Sequence, residues 1–345
     1  MKLSLEFLLQ RLVGQGKEIA RQTPVRTDEK TLVSVRLKPS TRHFVESQAT
    51  ALNTSSQALI SMILDGVAES TTDDTAGRLR TIRERFFFLI QAHGLDLPGA
   101  VELMRNYGFT LSTLGSTDRL LDLLTKPAIE HLADVFSVRP EWLTASGEEA
   151  VSAGLNGHWY KNVPGVAHRL IAFKQAGLRP TVMVIRRDRA DFERACREDD
   201  NEKALEPVGV VVRLMRQSVG GTPFTTFELW EFERWNYWRC REQIKLLVAF
   251  CEQMNIDVIG HELPSEALDA LVRGRQLPTE SLSRLGSVSW HPDDYASFRY
   301  KVTREADDWA SVATAYRESP LPKIAEKAGA MPLPDRPWEP GQPPA

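Results

Sequence analysis

Glu228, Glu231 and Glu233 lie on or just after one apolar stretch, Phe224 to Phe232, and are the chain's best candidates for metal-assisted phosphodiester chemistry. A metal-dependent nuclease needs two acids, and usually a lysine, converging on one ion. No lysine follows in the same stretch; the nearest, Lys245, falls on the next predicted helix, and Thr181 to Ile185 carries no acid. The three glutamates therefore read as the exposed face of an edge hairpin. His261-Glu262 is one histidine with one carboxylate, and His158 and His291 have no partners at metal-binding spacing. Gly220-Gly221 makes a turn, and no serine or cysteine stands in a nucleophile-elbow context. Cys240 and Cys251 are eleven residues apart on one predicted helix, which separates them by about 16 Å of rise. With Cys196 they make three scattered thiols, suited to a reducing compartment and to packing. The expectation is a chain that is not an enzyme, with no catalytic residues, no metal and no cofactor.

The chain has 345 residues, 42% hydrophobic and 26% charged, with a net charge of -3. That length accommodates roughly two to four domains. The charge argues against coating nucleic acid non-specifically but leaves room for a basic patch on one domain. No apolar run has the length of a membrane span. The opening MKLSLEFLLQRLVGQG imitates a signal peptide until Glu6, Gln10 and Arg11 interrupt it, and Leu5, Leu8, Leu9 and Leu12 suggest a short amphipathic helix. A cytoplasmic location follows as the expectation.

The elements that would position any function begin at Leu32. Val33, Val35 and Leu37 alternate with Ser34, Arg36 and Lys38, the period of a half-buried strand. Pro39 ends it, and a helix with Val45, Ala49 and Leu52 on one side follows. Asn53 suits a left-handed helix end. Thr54 opens a second helix with Gln57 in capping-box position, and Leu59, Met62, Ile63, Gly66 and Val67 share one face. A lone strand and two short helices leave that surface uncovered, so a second copy is expected.

On the VSVRL strand, Pro39, the Asn53 turn and the Thr54-Ser55-Ser56 helix start, this segment resembles the ribbon-helix-helix fold of the MetJ/CopG/Arc superfamily, over about a tenth of the chain. The resemblance implies a homodimer whose paired strands enter the DNA major groove, with Ser34, Arg36 and Lys38 reading bases. It also implies a phosphate held at the second helix start by Thr54, Ser55 and Ser56. The alternative is a surface strand on a larger sheet, its Arg36 and Lys38 merely solvated.

A Ser/Thr/Asp run, Glu69 to Thr75, reads as a linker, and a helical region follows. Its end, IEHLADVFSVRPEWLTASGE, and its start, GRLRTIRERF, resemble the lambda-repressor-like (XRE/Cro-type) helix-turn-helix family, matching at Leu132, Ala133, Phe136, Val138, Pro140, Trp142 and Leu143. That resemblance implies Ser112, Thr113, Ser116 and Arg119 as DNA contacts. The middle departs from the family pattern, and Gly115 inside the candidate reading helix costs about 1 kcal/mol relative to alanine. A helical spacer or dimerisation module is the competing reading.

From Gly154 the texture becomes mixed. Apolar runs predict buried strands over Thr181–Ile185, Val208–Met215, Phe224–Phe232 and Ile256–Ile259, with a convincing helix over Tyr237–Met254. The second and third strands form a hairpin about Gly220-Gly221. Trp230, Trp235 and Trp238, with Phe224, Phe227, Phe232 and Tyr237, do not all fall on one face and suggest an interface. The tail from Ser319 is disordered by its proline content.

The expected organisation is an N-terminal helix and arm (1–30), a ribbon-helix-helix domain (31–70), an all-α helix-turn-helix-like domain (76–149), an α+β domain with a small central sheet (154–317) and a disordered tail (318–345). The expected function is a sequence-specific transcription regulator binding double-stranded DNA as a dimer or higher homo-oligomer. The α+β domain would govern assembly or sense a protein or small-molecule partner, with no membrane involved. Two alternatives stand: a DNA-organising or antitoxin-like protein whose C-terminal half binds a protein partner, and a DNA-targeted nuclease.

Overall fold

The computed structural model describes residues 36–52, 54–72, 74–152, 159–198, 206–218, 221–282, 290–295 and 306–333. The chain divides into two compact units, Met1–Ile82 and Arg83–Ala345.

In the first unit, α1 (Pro39–Ala51) starts on Pro39, whose missing amide proton costs nothing in a first turn. Next comes α2 (Ser56–Thr72), and α3 (Asp74–Ala92) begins within this unit. Its core is small: Val45 and Ala49 of α1 meet Leu59 of α2, with Ile60 packed alongside. Val33, Ser34, Val35 and Asn53 lie outside the described residues. Arg36 to Lys38 lead into α1 without regular secondary structure, with Lys38 in extended conformation. The expected start of α2 shifts by one turn position. Ser55, not Thr54, is the cap, its Oγ accepting the Ala58 amide at 3.1 Å, while the Thr54 amide bonds the Ala49 carbonyl. The predicted linker at 69–75 is instead helical on both sides of Asp73, which is not described.

The second unit is built on one four-stranded sheet: β1 (Arg179–Arg187), β2 (Pro207–Gln217), β3 (Pro223–Arg234) and β4 (Asp257–Leu263), in the order β3-β2-β1-β4. The β1/β2 and β2/β3 pairs are antiparallel and β1/β4 is parallel. Mixed α and β structure was expected, as was a small central sheet. Both faces are covered, which is why the strands are continuously apolar. Val182, Val184, Val210, Val212 and Trp230 face α9 (Val163–Gln175), α10 (Phe192–Arg197), α11 (Trp238–Gln253) and the C-terminal helices α14 (Ala306–Glu318) and α15 (Leu321–Lys327). Met183, Ile185, Val211, Phe227 and Leu229 face the opposite way. They pack with α12 (Ser265–Val272), α13 (Pro278–Leu282) and residues Phe86 to Leu143 of the helical region.

That second core joins what the sequence suggested were two domains, 76–149 and 154–317. The helical region comprises the rest of α3, α4 (Leu97–Leu103), α5 (Leu111–Leu114), α6 (Thr117–Leu123), α7 (Lys126–Phe136) and α8 (Pro140–Leu143). Leu132, Phe136, Val138, Trp142 and Leu143 are all buried. Arg85 fastens the end of this region. Its Nη1 donates to the carbonyls of Trp142 (2.5 Å) and Gly147 (2.9 Å), and its guanidinium lies 5.2 Å from the Trp142 ring centroid. At the seam, the Gly274 carbonyl accepts the Ala150 amide at 2.7 Å and the Val151 amide at 3.2 Å.

The tail also departs from expectation. Pro320 and Pro322 flank the start of α15, and Leu321 and Ala325 are buried, so the chain is structured through residue 333, and 334–345 lie outside the described residues. Among the described residues no helix is long and apolar enough to cross a membrane.

His93, at the end of α3, ties the helical layer to the edge strand. Its carbonyl accepts the Thr225 amide at 3.4 Å, its Nδ1 lies 2.8 Å from the Leu89 carbonyl, and its ring sits 4.7 Å from Phe136. Burial, partly offset by the bond to Leu89, lowers its pKa from the ordinary 6.5 to about 4. The unfolded chain takes up this proton near 6.5 and the folded one does not, so His93 leaves stability intact above that pH and erodes it between there and about 4. The expected loss from this one group is about 2 kcal/mol between about pH 7.5 and pH 5. Urea unfolding at both ends of that range should show the acid loss smaller by this amount in His93→Gln; an unchanged loss would assign the acid sensitivity elsewhere.

Candidate nucleic-acid interface

The residues expected to meet DNA occur in two groups. In the first unit, Arg36 and Lys38 are exposed at the entry to α1. Thr54 and Ser56 are half-buried and Ser55 is exposed at the entry to α2; Ser34 lies outside the described residues. The Ser55 hydroxyl is engaged in capping, so any anion there meets chiefly the free first-turn amides. Beside these groups lies uncovered apolar surface: Phe44 (61% exposed), Leu52 (60%), Met62 (60%), Leu64 (56%) and Ile63 (50%).

The second group, in the helical region, is not brought together on one helix. Thr110 caps α5 reciprocally with Thr113, whose amide donates to Thr110 Oγ1 at 3.3 Å while Thr113 Oγ1 accepts the Thr110 amide at 3.0 Å. Ser112 Oγ lies 3.0 Å from Thr110 Oγ1. Gly115 closes α5 after four residues, and Ser116 starts α6, which carries exposed Arg119. The expected reading helix is thus two short helices meeting at Gly115-Ser116, with the Thr113 hydroxyl spent on the cap. The glycine's low helix propensity and the two competing caps account for the break.

The carboxylates tested for metal chemistry are otherwise engaged. Glu228 is not on an exposed hairpin face: it is 3% exposed, beneath α9. Arg169 grips it with both Nε and Nη2 at 2.6 Å, and the Trp230 indole donates to the same carboxylate at 2.6 Å. Glu262 accepts from Arg186 at 3.0 and 2.7 Å. His261 is buried, its Nδ1 without a hydrogen-bond partner, and burial together with the charge on Arg213 lowers its pKa. Among the described residues no three His, Cys, Asp or Glu side chains are grouped as a metal site requires. The aromatic cluster is chiefly core, contrary to the interface expected: Trp230 and Trp235 are buried, with Trp235 stacked on Phe192 at 4.3 Å, and only Trp238 is substantially exposed.

Arg85 and the Arg169–Glu228 pair were not singled out from the sequence. The period of β3 does carry the signal for Glu228, since it shares a face with buried Thr226 and Trp230. No family model, curated protein or solved structure matches the chain.

Proposed function

We propose that the protein is a sequence-specific DNA-binding transcription regulator, acting as a dimer or higher oligomer through its first unit. The observation that carries this reading is the imbalance in that unit. Three described side chains are buried while Phe44, Leu52, Met62, Ile63 and Leu64 remain half-exposed or more. A second copy covers such a surface, and in the ribbon-helix-helix arrangement it also pairs with the segment that carries Arg36. The unit places cations at one helix entry and a serine-rich cap at the other, the residue types that read bases and hold phosphate. The nuclease alternative is weakened because Glu228, its central carboxylate, is held by Arg169 and Trp230.

Arg36→Ala should cost about 1–3 kcal/mol per contacted half-site and relax sequence preference there. Ser55→Gly, which spares most of the helix cap, should weaken binding evenly across sequences. Titration of specific and scrambled DNA at one stated salt concentration separates the two. Equal weakening on both DNAs would make Arg36 a backbone contact. No change on either, or a monomer in sedimentation, would remove the first unit as the DNA-reading element.

A further inference from the structure

We infer that a cleft at one end of the sheet, between Arg179 and Arg216, binds a small organic anion: a carboxylate carried on an apolar body. The cleft encloses about 550 Å³ where the start of β1 and the end of β2 meet the helical layer. Its apolar wall comes from Leu103 of α4, Val135 of α7, Met215 and Phe224. Arg179 is paired with Met215 across β1 and β2, and Arg216 is the next residue of β2, so the two arginines leave opposite faces of the sheet and flank the cleft at the same end.

The arginines on and beside the sheet divide into those with a carboxylate partner and those without, Arg213 of β2, bonded to Thr181, among the latter. Arg169, Arg186 and Arg187 each have a carboxylate in ion-pair contact, from Glu228, Glu262 and Glu206 respectively. Arg179 and Arg216 have none among the described residues. Arg216 is half-buried and fixed: its Nε donates at 2.9 Å to the hydroxyl of Thr226, itself 1% exposed. Glu228 is the carboxylate whose field reaches Arg216, but both its oxygens are already gripped by Arg169. A guanidinium withdrawn from water without a counter-ion is costly, and it presents a planar fork shaped for a carboxylate. An anion entering the cleft offsets that cost, and the leucine, valine, methionine and phenylalanine beside it favour a ligand with apolar bulk over a bare inorganic ion.

Such an occupant touches the helical layer and the sheet together. Its role as an effector of DNA binding rests on the reading proposed above; the binding itself does not. Calorimetry on the full chain without DNA therefore tests it directly. The probes are phenylacetate and hexanoate, against the neutral phenylacetamide and against inorganic phosphate. The carboxylates should bind and raise the melting temperature by an amount that grows with the logarithm of ligand concentration above the Kd, with the amide and phosphate at least about tenfold weaker. Arg216→Gln should lose at least about tenfold in carboxylate affinity. Arg179→Gln, at an exposed position and safe for folding, should also weaken it. The inference is overturned if neither carboxylate binds at about 10 mM, if phenylacetamide binds as well as phenylacetate, or if both variants keep full affinity. Phosphate binding as tightly as the carboxylates would overturn the apolar-body requirement.

Discussion

Arg169→Met is expected to cost about 3–5 kcal/mol of folding stability, because it removes the guanidinium that holds both oxygens of a buried carboxylate. The pair is asymmetric: Glu228 is 4% exposed at its side chain, whereas Arg169 is 46% exposed and already half in water. Removing the acid should therefore be milder. Glu228→Gln keeps an oxygen for the Trp230 indole and strands only a solvent-reaching guanidinium, at about 1–2 kcal/mol. The double variant should recover much of the loss seen in Arg169→Met, since no buried charge remains. Denaturant unfolding at neutral pH measures all three. A deficit below about 1 kcal/mol would show that water reaches Glu228, and the pair would then be no more than a surface bridge.

Gly274→Ala should be of similar size, about 3–5 kcal/mol, from three additive causes. Its φ of +66° is strained for any residue with a Cβ, at about 1–2 kcal/mol. The new methyl would sit 2.1 Å from the Val151 carbonyl oxygen, a backbone atom that cannot rotate away. Forced displacement of that kind costs about 1–3 kcal/mol. The Ala150 and Val151 amides that bond the Gly274 carbonyl would move with it. Gly177→Ala provides the control, having φ of +76° but nothing within 4 Å of the new carbon; it should show the backbone strain alone, about 1–2 kcal/mol. Equal losses in the two variants would mean that the Val151 segment yields freely and that the seam is loose.

Much of the second unit was legible in the sequence because its strands are apolar on both faces and need no partner to be recognised. β1 to β4, the β2–β3 hairpin and α11 all fall where apolar runs and the Gly220-Gly221 turn put them, within a few residues at their ends. What escaped depends on distance along the chain. Arg169 and Glu228 are 59 residues apart, and no local pattern pairs them. The single core escaped for a related reason. The stretch after Gly154 supplies a full helical cover for one sheet face but only the short α12 and α13 for the other, so the helical region makes up the deficit. Composition alone misleads at α15, because prolines at a helix start look the same in a count as prolines in a disordered tail. In the candidate site, the residue types at Arg36, Lys38 and Ser55 could be read directly. The fate of Ser112 and Thr113 could not, because their hydroxyls serve the cap of a helix that ends at Gly115.

A core that spans both regions also sets the order of events during synthesis. Phe86 and Leu282 belong to one packed cluster although nearly two hundred residues separate them. At roughly 5–20 residues per second, a ribosome takes on the order of ten seconds or more to deliver the second after the first. Throughout that interval the nascent helices hold Phe86, Leu89, Leu132 and Phe136 against water, with the sheet that covers them still unmade. Val45, Ala49 and Leu59 lie within fifteen residues of one another and meet almost as soon as they emerge. The window in which a chaperone would find work on this polypeptide therefore opens with the end of α3 and closes with α13.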